Sequence, residues 1–232
     1  MIEEAKQTAK HQAQGAANEA LFLSGSLALD LVNTEMIVRG KKRDVLSSPE
    51  ALARWWEEAR KQHPDSAEVK GVGEPIAWNS ELLDAVKMLR MTLRTLSTHL
   101  VEQHAVEEGD LELLNGVLAL GYPALERTAQ GNVRLVTRPG DEQKGQVLLP
   151  IALSAVRLFT QSDWQRLHRC KNDRCILFFY DTTKSGTRHW CSPGCMNRFR
   201  SIHHYRPCVT HAILALCFRL KADFARSIAR IS

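Results

Sequence analysis

Cys170-Lys171-Asn172-Asp173-Arg174-Cys175, then fifteen residues, then Cys191-Ser192-Pro193-Gly194-Cys195: this stretch decides how the chain is read. Zn²⁺ in structural sites is most often held by four tetrahedral thiolates, and two closely spaced cysteine pairs separated by a hairpin-sized insert supply them. The first pair brackets turn-forming residues, and Ser192-Pro193-Gly194 makes a bend that can run directly into a helix. Between the pairs, Ile176 to Tyr180 is β-rich, Asp181 to Thr187 contains a glycine turn, and Arg188-His189-Trp190 returns. Knuckle, hairpin, then a helix bearing the last ligand is a treble-clef order. Phe178, Phe179 and Trp190 read as its small core, and His168 and His189 as non-ligands, because four cysteines already complete one structural Zn²⁺ site. Buried thiols and a thiol redox switch are the rival readings of the same cysteines.

No cysteine precedes Cys170, so the cysteines do not form the dispersed framework of a secreted disulfide scaffold. The chain has 232 residues, 44% of them apolar, enough for one sizeable core and a small module. Its longest apolar stretch near the end, Ala212 to Phe218, falls well short of the roughly 20 residues that span a bilayer. The start, Met1 to Gly15, has no apolar signal core. A cytoplasmic protein without membrane contact is expected.

Charge is distributed unevenly. Residues 1–165 carry 18 Lys+Arg against 23 Asp+Glu, whereas residues 166–206 carry 9 against 2. A net of +7 in that short module is the footprint of a polyanion-binding surface. The expected nucleic-acid contacts are Lys184 and Arg188 on the hairpin, then Asn197, Arg198, Arg200, His203, His204 and Arg206 on the helix and after it. The bland alternative is a solvated basic face paired with the acidic remainder of the chain.

Upstream, a helix is expected from Ser24 or Ser26 through Leu29-Asp30-Leu31-Val32-Asn33-Thr34, followed by a solvated Arg39-Gly40-Lys41-Lys42-Arg43 loop. Ser48-Pro49-Glu50 starts a second helix with Leu52, Trp55, Trp56 and Ala59 inward. A third runs from Asn79 or Ser80 to about Glu108, and a fourth from Asp110 to Leu120. Short runs at Leu125–Ala129, Val133–Thr137 and Gln146–Leu149 read as an antiparallel meander, after which Pro150 opens a helix to about Gln161. The expected fold is α+β: a predominantly helical domain with a small antiparallel sheet over residues 20–162, a treble-clef-like finger over 163–206, and an amphipathic tail over 207–232. Cys208 and Cys217 belong to that tail as apolar helix residues.

Leu29-Asp30-Leu31-Val32-Asn33-Thr34, Trp55-Trp56 after a Ser-Pro-Glu start, Leu89-Arg90, and the two cysteine pairs followed by Asn197-Arg198 resemble the bacterial CGNR zinc-finger family with its N-terminal ABATE domain. The resemblance implies a stress-response transcription regulator whose finger binds DNA. Met196 stands where that family's signature has glycine.

Asp30 and Asn33 lie one turn apart and, with Glu35 nearby, are candidates for a small-molecule effector pocket, or the two alone for a buried hydrogen-bonding pair that fixes the first helix. No His-Glu-x-x-His, Gly-x-Ser-x-Gly or phosphate-binding glycine loop is present, so no enzymatic activity is expected. Three functional classes follow: a DNA-binding regulator acting on duplex DNA, with a homodimer expected by analogy; an RNA- or protein-interaction module; and a metabolite-binding protein or enzyme using a pocket near Asp30.

Overall fold

The computed structural model describes residues 22, 24–64, 75–128, 130–140 and 142–202. The expected tail over 207–232 lies outside the described residues. The chain divides into two compact units, Met1–Cys191 and Ser192–Ser232.

At the centre of the first unit is α1, Leu27–Val32, buried at every position. A helix apolar nearly all round is stable only when surrounded. It is surrounded here by α3 (Ser80–Glu102) and α5 (Glu142–Thr160). Ser26 sits extended at its N-cap, and the Ala28 N–H donates to Ser154 Oγ of α5 at 3.2 Å. Leu29, Leu31, Leu52, Leu93 and Ile151 are all fully buried in this core.

Residues after α1 form β1 (Glu35–Val38) and β2 (Lys41–Asp44), an antiparallel pair with Val38 opposite Lys41. The expected solvated loop is therefore a two-residue hairpin turn, with Arg39 at φ 52° and Gly40 at φ 78°. Two consecutive positive φ values match the right-handed strand twist, and glycine adopts them without a Cβ penalty. Asp44 closes the hairpin base. Its carboxylate receives two N–H bonds from Arg90 of α3, at 2.6 and 2.8 Å.

Helix α2 spans Pro49–Gln62 as expected, with Ser48 Oγ accepting from Ala51 N–H and Trp55 and Trp56 buried. Asn79 caps α3 through Leu82 N–H at 2.9 Å. That helix ends at Glu102 rather than near Glu108, because Gln103 adopts the left-handed conformation and reverses the chain. Helix α4 is Glu108–Leu118, two residues earlier than expected.

Strands β3 (Gly121–Arg127) and β4 (Val133–Pro139) pair antiparallel, but the third expected strand is absent. Gln146–Leu149 belongs to α5, which starts at Glu142 and carries Pro150 in its interior instead of at its start. An apolar run of four has no period of its own, and packing decides it: Val147, Leu149, Ile151, Ala152 and Ala155 are fully buried along one continuous helix. Gly145 permits the entry, since a Cβ there would lie 2.7 Å from Pro139 Cβ.

The first unit continues through a 3-10 turn (Trp164–Arg166), β5 (Leu167–Arg169) and β6 (Phe178–Tyr180). Strands β5 and β6 pair with Arg169 opposite Phe178. The finger's hairpin thus flanks the first cysteine pair. The expected partner of β6, Arg188 to Trp190, is not a strand. Phe178 and Leu167 join the main core with α1 and α3, so the expected separate miniature core is shared. The described part of the second unit is α6, a helix over residues 193–202.

Candidate metal centre

Four thiols converge at the knuckle. Cys170 follows β5, and its N–H donates to Leu177 O at 2.9 Å, closing the loop across the strand pair. Asn172, 3% exposed, organises the bend: its side-chain oxygen accepts from Arg174 N–H at 3.0 Å, while its carbonyl accepts from Cys175 N–H at 2.8 Å. These bonds turn Cys175 back toward Cys170. The Lys171 N–H donates to His189 O at 2.9 Å, bringing the extended segment that leads to Cys191 alongside. Cys195 lies in the first turn of α6, where its N–H donates to Ser192 O and to Ser192 Oγ.

The Sγ atoms of Cys170, Cys175, Cys191 and Cys195 all lie within 4.8 Å of one another, and three of the four residues are buried. Cys175 Sγ and Cys191 Sγ are 3.7 Å apart, far beyond a disulfide bond of about 2.05 Å. A tetrahedron with Zn–S arms of about 2.3 Å has edges of about 3.8 Å. The donor set therefore fits one Zn²⁺ with four thiolate ligands. N–H groups offset their negative charge: Cys191 N–H points at Cys170 Sγ at 3.5 Å, and Arg198 Nη2 at Cys195 Sγ at 3.6 Å.

The loop between the pairs is ordered by Asp181, fully buried although charged. Burial would raise its pKa, but hydrogen bonds from the Thr183 hydroxyl and from the N–H groups of Arg188 and Thr183 prevail, lowering it to about 2. Arg188 is a staple: its guanidinium donates to Trp190 O and Cys191 O and lies 4.7 Å over the Phe179 ring. His168, beside Phe179, has its pKa lowered by burial, and neither it nor His189 belongs to the metal cluster.

The expected nucleic-acid residues are thus placed differently from one another. Lys184, Asn197, Arg198 and Arg200 are exposed. Arg188 holds the loop, and Arg198 donates to Gly194 O and toward Cys195 Sγ. His203, His204 and Arg206 lie outside the described residues. Met196 has an ordinary helical position, with its N–H bonded to Ser192 O, so a side chain is accommodated where the family signature has glycine.

Asp30 and Asn33 do not share a pocket. Asn33 donates from Nδ2 to Phe178 O at 2.8 Å and accepts Phe178 N–H at 2.9 Å, tying α1 to β6. Asp30 accepts from Ser24 Oγ and bonds His63 Nε2 at 2.6 Å; burial raises its pKa against these contacts. Ser24 and His63 line a cleft of about 610 Å³ with Ser26, Ser154, Arg157 and Tyr180. Sequence reasoning missed His63, whose only signal was its place at a helix end before Pro64.

Fold and site together define an α+β domain continued by a four-cysteine zinc finger. A family model described as "Putative stress-induced transcription regulator" (ABATE) matches residues 25–162, and one described as CGNR zinc finger matches residues 166–206. The chain belongs to the ABATE family and carries a CGNR zinc finger. No curated protein matches it. Among the described residues, no helix is long and apolar enough to cross a membrane.

Proposed function

We propose that this protein is a zinc-dependent, cytoplasmic regulator that binds duplex DNA through its finger and responds to a small ligand held by its N-terminal domain. The observation that carries the reading is the net charge of +7 over residues 166–206, in a module whose four cysteines converge on one metal site. Lys184, Asn197 and Arg200 supply exposed donors for phosphate oxygens or base edges. A homodimer reading a two-fold operator is the expected assembly.

The cleft beside Asp30 is the proposed effector site. Among the described residues lining it, His63 and Arg157 are the groups that can carry positive charge, and none is a carboxylate, which favours a small anion. The cleft is read as a binding site, not a catalytic one.

The test is a salt titration of duplex binding by zinc-loaded protein, with selection of a preferred sequence from a random duplex pool. We expect a preferred sequence and a steep salt slope that Arg200→Ala lowers by about one. Arg198→Ala is a poor probe, because Arg198 touches Cys195. Binding that ignores salt, or a pool that yields no preferred duplex, would overturn the reading.

A further inference from the structure

The hairpin that replaces the expected loop carries its charge in an unusual way. Arg39, Lys41, Lys42 and Arg43 are four exposed cations in five consecutive residues, with no acid among them. Lys42 pairs with Glu35 at 3.0 Å, whereas Arg39, Lys41 and Arg43 make no ion pair among the described residues. Neighbouring like charges on one exposed strand repel one another, and an anion held against them relieves that repulsion.

The ribbon is also held firmly. Arg90 binds both oxygens of Asp44 at its base and donates to Thr34 Oγ1 at 2.9 Å. Arg94 donates from one face of α3 to the carbonyls of Ile176, Val32 and Glu35, fastening the hairpin base to the knuckle. A groove of about 490 Å³ runs between them, lined by Glu35, Gly40 and Lys42 on the hairpin side and by Arg169 and Ile176 on the knuckle side, while Lys41 and Arg43, both exposed, stand on the opposite face of the ribbon. The knuckle adds Arg169, Lys171 and Arg174, all exposed. Arg169 has a distant carboxylate neighbour, Glu102 at 3.8 Å, at a solvated distance that contributes little.

We infer that the β1–β2 hairpin is a second nucleic-acid contact, in which Arg39, Lys41 and Arg43 engage the phosphate backbone of the duplex that the finger binds. The contact lies in the N-terminal domain, outside the finger. It rests on the DNA-binding reading above. Its chemistry is that of a fixed cationic ribbon against phosphate: it positions the duplex and adds affinity and salt dependence, without reading bases.

The experiment compares full-length, zinc-loaded wild type with two variants that each remove two positive charges, K41A/R43A on the hairpin and R54A/R60A on the exposed face of α2. The probe is mixed-sequence duplex DNA of about 20–30 base pairs, a length that behaves as a stiff rod. We expect K41A/R43A to lower the slope of log K against log salt by about two, at about 0.9 per phosphate contact, and R54A/R60A to leave it unchanged. The charge-retaining K41R/R43K should restore the wild-type slope. Equal slopes for wild type and K41A/R43A, with Arg200→Ala still lowering the slope, would remove the hairpin contact and leave the finger reading intact. Equal losses in the two double variants would also overturn it, since net charge would then account for the effect. Absence of salt-dependent binding by wild type would remove the DNA reading and the hairpin contact together.

Discussion

Asn33 shows how a single side chain can be misplaced by a reading of its neighbours. Its spacing from Asp30 suggests one face and one pocket, yet the two side chains serve different partners. Asn33 is 3% exposed and satisfies both the N–H and the C=O of Phe178, groups that would otherwise be buried without partners. Asn33→Ala should lower stability by about 2–4 kcal/mol, from two orphaned backbone groups. Asn33→Asp should be no better, because it keeps an acceptor for Phe178 N–H but loses the donor to Phe178 O and adds a buried charge. Thermal denaturation of the three proteins checks this. An Asn33→Asp protein as stable as wild type would mean that the amide donor contributes nothing. Nothing local in the sequence announces this partner, which lies 145 residues away.

Legibility was uneven among the elements, and the unevenness has physical causes. The cysteine pairs, the Ser48 and Asn79 caps and the apolar stripes of α2 and α3 were readable because each is a local signal, complete within a few residues. The β1–β2 hairpin was not: its second strand, Lys41 to Asp44, has no apolar alternation, and its turn is Arg-Gly rather than Asn-Gly. What stabilises it is Arg90, 46 residues downstream. That pairing has a pH signature. Burial alone would raise the pKa of Asp44, but hydrogen bonds and charge from Arg90 outweigh burial and hold it below 3.8. A carboxylate with a depressed folded-state pKa contributes stability that is complete above its unfolded value and is lost as pH falls through its folded value. Asp44→Asn should therefore melt below wild type, by about 1–2 kcal/mol once the partial exposure of Asp44 is discounted. The difference should stay constant from neutral pH down to about 4 and narrow only at lower pH. Melting curves of both proteins over that range decide it, since any loss common to both cancels in the difference. A gap that closes near pH 6 would assign the effect to another group.

The start of α5 was misread for a related reason. Pro139-Gly140-Asp141 and Pro150 are strong punctuation, and an apolar run between them fits a strand or a buried helix equally well. Gly145 carries a testable sign. On helix propensity alone, Gly145→Ala would gain about 1 kcal/mol. The structure predicts the opposite, because the new Cβ would meet Pro139 Cβ at 2.7 Å and β4 would have to move. We expect a net loss of about 1–2 kcal/mol from overpacking. A chemical denaturation midpoint above that of wild type would show that the joint between β4 and α5 yields freely.

At the scale of the whole molecule, the zinc site is tied into the fold more closely than a finger on a tether. Phe178 stands three residues after Cys175, is 2% exposed, and belongs to the core built by α1, α3 and α5. Leu167, on the paired strand and three residues before Cys170, belongs to it as well. A structural metal that fixes Cys170 and Cys175 therefore also fixes the two strands that close one side of the main core. If finger and domain were independent, removing the metal would melt a small low-temperature unit and leave the main transition where it was. Shared packing predicts something else: chelation should lower the midpoint of the main transition itself, by several degrees or more, and the signal of Trp55 and Trp56, buried in that same core, should follow it. Calorimetry of the zinc-loaded and chelated protein, with tryptophan fluorescence recorded alongside, separates the two cases. A main transition that stays in place after metal removal would show that the contacts of Phe178 and Leu167 do not transmit the metal's stabilisation. If the main transition does shift, the same coupling requires the converse effect: Asn33→Ala should weaken zinc retention against a competing chelator, because the bond it removes joins α1 to the strand that leaves the knuckle.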